Sequence, residues 1–131
     1  MQRQSIWLSV SIALSTLTAA AQNLNGVWSA DDGGMYYIRQ VYDQVWWAGL
    51  SAISKLGAND IHPGIGFSNV FFGTLSGGNT ISGDWADVPR GTSLKSGTIT
   101  LTVSGDLNQL KKTAATGGFG ASTCGGNWGH V

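Results

Sequence analysis

From residue 25 onward, short runs of apolar, β-branched and aromatic residues alternate with clusters of Gly, Asn, Asp and Ser. No stretch carries the three-and-four spacing of an amphipathic helix. The pattern predicts an all-β domain with a turn roughly every 8–12 residues. Strands are expected at Gly26–Ala30, Met35–Tyr42, Val45–Ser51, Phe67–Leu75, Thr80–Ala86, Thr98–Ser104 and Leu110–Thr116, with a short last one around Phe119–Thr123. Seven to eight strands joined in chain order predict an antiparallel up-and-down barrel or a strongly curled sheet.

Alternation also predicts which side chains face inward, because successive residues of a strand point to opposite faces. Thr98–Val103 is the cleanest case: Ile99, Leu101 and Val103 share one face and the threonines the other. Centring the hairpin turn on Gly77-Gly78 pairs Leu75 with Thr80 and Val70 with Trp85. That register gathers Val70, Phe72, Ile81 and Trp85 on the buried face and leaves Asn69, Phe71, Ser82 and Asp84 outside. The earlier hairpin, joined through Asp43-Gln44 with Tyr42 opposite Val45, sets Tyr36, Ile38, Gln40, Val45, Trp47 and Gly49 on one face. Met35, Tyr37, Arg39, Val41, Trp46, Ala48 and Leu50 take the other. Both faces are apolar, as expected of a wall packed on one side that lines a cavity or meets a partner on the other. Residues 55–66, with two glycine-flanked turns and Pro63, form the longest expected loop.

The first residues follow a different rule. One positive charge at Arg3 precedes the apolar run Ile6–Leu14, and Ala19-Ala20-Ala21 offers a small-residue cleavage site. This order predicts a secretory signal peptide over residues 1–21, a protein secreted to the extracellular space or the periplasm, and a single domain over residues 22–131 with a glycine-rich tail from Gly117. Serines and threonines interrupt the apolar run, so no membrane span is expected once the leader is cleaved.

Composition narrows the partner class. The 131-residue chain has a formal net charge of zero with only 11% charged residues, which excludes nucleic acid as the default partner. Its single cysteine, Cys124, excludes an intramolecular disulfide, so the domain must be held by its core or by closing its sheet.

Gly26-Val27-Trp28, on the first strand after the leader, resembles the G-x-W that opens lipocalins and other calycins, and avidin-type barrels begin in a similar way. The run Trp85-Ala86-Asp87-Val88-Pro89-Arg90-Gly91 resembles that of small uncharacterised secreted β proteins. The resemblance covers about residues 25–123. It implies a calycin-like barrel in which Trp28 is a structural plug at one end. The chain has no later lipocalin T-D-Y run and no biotin-site motif, so no ligand residue is carried over.

Candidate chemistry points to binding more than to catalysis. The acidic residues are all Asp. Asp84 and Asp87 flank Trp85, with Asp84 expected in solvent and Asp87 beyond the strand end, where it caps the turn or pairs with Arg90. His62 and His130 are far apart, and no metal site, cofactor or catalytic group is assigned. A barrel of about eight strands holds either packed side chains or one small ligand. Tyr36, Trp46, Trp47 and Trp85 offer rings, Arg39 a cation and Asp87 a carboxylate, a set suited to a small apolar, aromatic or sugar-like ligand, including a carbohydrate. The same rings also suit a fully packed structural or protein-interaction module. A hydrolase using Asp87 and His62 is the third reading.

Overall fold

The computed structural model describes residues 23–52, 54–57, 60–120 and 126–131; the expected leader and Cys124 lie outside the described residues. Among the described residues ten strands follow in order: β1 (Gly26–Ala30), β2 (Met35–Val41), β3 (Gln44–Leu50), β4 (Ser54–Gly57), β5 (Asp60–His62), β6 (Ser68–Ser76), β7 (Thr80–Asp87), β8 (Ser96–Val103), β9 (Gln109–Ala115) and β10 (Asn127–His130). Eight of them close an antiparallel barrel in the order β1-β10-β9-β8-β7-β6-β3-β2, while β4 and β5 pair separately as a small hairpin. The chain is all-β and up-and-down, as its alternation predicts. No helix among the described residues is long and apolar enough to cross a membrane.

The hairpin registers turn on loop length. Between β6 and β7 the loop holds three residues, Gly77–Asn79, with Ser76 opposite Thr80. Both glycines sit at positive φ, 60° and 80°, which a residue with a Cβ rarely adopts. An odd-numbered loop shifts the pairing by one residue from the expected register and flips β6. Phe71 and Asn69 therefore point into the barrel with Ile81 and Trp85, and Val70 and Phe72 point out. This corrects the face assigned from the sequence. Between β2 and β3 the turn is Tyr42-Asp43, with Val41 opposite Gln44 and Gln40 opposite Val45. The register is two residues from expectation, and an even shift leaves every face unchanged.

The C-terminal segment is a second correction. Phe119-Gly120 lies in a turn instead of starting a strand, and residues 121–125 lie outside the described residues. Beyond them, β10 pairs with both β1 and β9 and completes the barrel, burying Trp128. The interior is filled by rings. Trp47 stacks on Phe71 at 4.3 Å, and Tyr36 meets the edges of Trp47 and Trp128 at 5.4 and 5.6 Å. Trp128 Nε1 is buried without a hydrogen-bond partner among the described residues.

One end is closed. Trp28 is fully buried, donates its indole N–H to the Leu24 carbonyl at 3.0 Å, and receives the His130 ring edge-on at 4.8 Å. The Leu24 amide in turn donates to Gln40 Oε1 at 3.0 Å. Trp28 is thus a buried, hydrogen-bonded side chain at this end of the barrel.

Candidate functional site

The opposite end is the mouth. Up-and-down order brings four connections there: the β1–β2 turn, the long segment carrying β4 and β5, the β7–β8 loop and the β9–β10 loop. Described residues of these segments border an open-sided cavity of about 170 Å³ lined by Tyr36, Phe67, Asn69, Trp85, Asp87 and Phe119, with Asp32, Ser93 and Lys95 also along it.

The cavity is built on a hydrogen-bonded chain. Asp32 closes the β1–β2 turn by accepting the Gly34 amide on Oδ1 at 2.7 Å, an Asx arrangement. Its Oδ2 accepts the Tyr36 hydroxyl at 2.7 Å. Burial is the main reason that Tyr36 resists ionisation far beyond an ordinary tyrosine; the Asp32 charge and hydrogen bond add to it, and the Asn69 amide opposes it. Asn69 Oδ1 accepts the Trp47 indole N–H at 2.8 Å. The Trp85 indole N–H donates to the Thr116 carbonyl at 3.1 Å and its ring meets Phe119 edge-on at 4.8 Å. These indoles and the phenol are each held by a hydrogen-bond partner that fixes their orientation.

The residues singled out from the sequence divide between two places. Tyr36, Trp85 and Asp87 line the mouth, and Trp47 lies beneath it through Asn69. Arg39 and Trp46 are on the outside of the barrel, on the opposite face of their strands. Asp87 holds the β7–β8 loop: its Oδ2 accepts the Lys95 amide at 2.9 Å, and its own amide donates to the Lys95 carbonyl at 2.7 Å. Arg90 donates instead to the Pro63 carbonyl at 2.9 Å. Capping is therefore what Asp87 does here, of the two roles its position allowed. His130 packs on Trp28 at the closed end, and no group of three His, Cys, Asp or Glu among the described residues could hold a metal.

Sequence reasoning missed Asp32, Asn69 and Phe119. Asp32 carried a signal, since an Asp before Gly-Gly and four residues ahead of a tyrosine can close a turn and reach that phenol. Asn69 was hidden by the register, and Phe119 by its glycine-rich surroundings. A larger groove of about 600 Å³ runs over β1, β8, β9 and β10. The mouth is the better candidate because Tyr36 and Asn69 are buried there, hydrogen-bonded and surrounded by rings.

The fold is a small closed eight-stranded antiparallel barrel, an architecture consistent with a calycin-like barrel. Compared with known protein families, curated proteins and solved structures, the chain shows no match.

Proposed function

We propose that this is an exported binding protein whose barrel mouth takes one small ring-shaped ligand, an aromatic or a sugar, with an apolar face and a hydrogen-bonding edge. The observation that carries the reading is the mouth cavity itself: aromatic walls around a prearranged Asp32–Tyr36–Asn69 polar edge. Its size suits one ring, since an apolar cavity of roughly 150 Å³ accepts a benzene-sized molecule. Flat rings offer stacking surface and the fixed polar groups supply orientation, the usual division of labour in small-molecule sites.

The test is ligand-observed NMR of the purified protein against a panel of monosaccharides and small aromatics, with tryptophan-fluorescence quenching for affinity. Ser93 lies at the cavity edge, outside the buried core, so Ser93→Trp fills the mouth without opening the barrel. A panel member that binds the wild type saturably and binds Ser93→Trp at least about tenfold more weakly supports the proposal. Binding that survives Ser93→Trp, or no binding by either ligand class, overturns it.

A further inference from the structure

The outer wall formed by β2, β3, β6 and β7 carries a patch that the mouth does not use. Cross-strand partners line up in rows over these four neighbours. One row reads Arg39, Trp46, Phe72, Asp84, and the next Tyr37, Ala48, Val70, Ala86. Tyr37 is 49% exposed, Phe72 44%, Val70 43% and Trp46 36%, and the Trp46 and Phe72 rings lie together at 5.2 Å. Contiguous apolar surface of this kind, with charges only at its ends, marks an interaction site.

We propose that this wall is a self-complementary surface that pairs with a second copy of the chain. The order of residues in the rows supports a two-fold arrangement. Take an axis in the contact plane, parallel to the strands and midway between β3 and β6. It sets Arg39 of one copy against Asp84 of the other, and Trp46 against Phe72. In the adjacent row the same operation sets the large Tyr37 over the small Ala86, and Ala48 over Val70. In the third row it sets Gln44 against Thr74, and Val41 against Ser82. Opposite charges, ring with ring and large with small coincide in the first two rows under one operation, as an isologous interface requires, and in the third Gln44 meets Thr74 while Val41 meets the small Ser82. Arg39 and Asp84 stand about 14 Å apart across three strand spacings of roughly 4.8 Å, too far to satisfy each other within one barrel. A convex barrel wall limits the contact to these central strands, so the interface is small and its Kd is on the order of micromolar.

Sedimentation analysis over a concentration series, with circular dichroism to confirm folding, tests this. Wild type is expected to pass from monomer to dimer in the micromolar range. Arg39→Asp alone and Asp84→Arg alone each turn two attractive contacts per dimer into repulsive ones, raising Kd at least about tenfold. An equimolar mixture of these two variants is expected to restore dimer, because each copy then meets opposite charge at both ends of the row. Trp46→Ser is expected to remove dimer in every combination. Wild type that stays monomeric at about 100 μM, well above the expected Kd, refutes the proposal. So does a dimer insensitive to the charge reversals, or a mixture that fails to recover. The experiment is independent of the mouth, so its outcome leaves the ligand-binding reading untouched.

Discussion

Replacing Tyr36 by phenylalanine removes one oxygen atom from the floor of the mouth and leaves the ring packing against Trp47 and Trp128 in place. The lost bond joins a buried hydroxyl to the Asp32 carboxylate at 2.7 Å. Bonds to charged groups contribute about 1.5–3 kcal/mol. Asp32 is only half-buried and keeps the Gly34 amide, so solvent makes good part of the loss. The net cost near neutrality is about 1.5 kcal/mol. At high pH the difference shrinks for a separate reason. The folded protein holds Tyr36 protonated well past the ordinary range, whereas the unfolded chain releases that proton near pH 10. Below that pH both states carry the proton and stability does not depend on it. Above it the unfolded state binds fewer protons, and folding stability falls by about 1.4 kcal/mol per pH unit. Wild type therefore loses about 1.4 kcal/mol by pH 11 that the phenylalanine variant does not lose. Urea unfolding followed by tryptophan fluorescence at pH 8 and pH 11 is expected to show the wild-type advantage at the lower pH and almost none at the higher. Lysine ionisation affects both proteins alike and cancels. An advantage that is unchanged between the two pH values, or tyrosinate absorbance showing Tyr36 ionising with an ordinary tyrosine, would refute the reasoning.

Gly83→Ala is expected to lower stability by roughly 3 kcal/mol in thermal unfolding, because its Cβ would run into the Phe72 carbonyl and Gly73 Cα, which are backbone atoms that cannot swing away. Gly105→Ala, where a Cβ meets nothing within 4 Å, should stay within about 0.5 kcal/mol of wild type. Truncation after Gly126 removes β10, leaves β1 and β9 as open edges and uncovers the core; loss of cooperative unfolding with gain of dye binding is expected, and an unchanged melting curve would contradict it. Trp28→Ala empties the space of a fully buried indole and is expected to cost about 3–5 kcal/mol, read as a shift in the urea midpoint.

Particular strands show where reading the chain succeeds. In β8 the order Thr-Ile-Thr-Leu-Thr-Val leaves no doubt about faces, and Ile99, Leu101 and Val103 are buried as read. In β6 the run Val70-Phe71-Phe72 is apolar at consecutive positions, so alternation alone gives no parity. The loop decided it, and one extra residue, Asn79, reversed the strand. That reversal moved Asn69 into the site and Phe72 onto the outer wall. In β10 the four residues Asn-Trp-Gly-His hold a single large apolar side chain, too weak a pattern to stand out from the glycines around it. Of the six candidate ligand contacts, four collect at or under the mouth and two, Arg39 and Trp46, face away, because opposite parity on paired strands separates them through the wall.

By itself the sequence determined the all-β class and most strand positions, since these follow from period-two alternation and turn residues. Tertiary structure alone decided the barrel's closure by β10, the face of β6 and the meeting of Asp32, Tyr36, Asn69, Trp85 and Phe119 at one end. Local pattern reports which residues alternate. Pairing between distant strands decides which side is inside, and only a closed ring of strands brings loops some 85 residues apart around a single cavity.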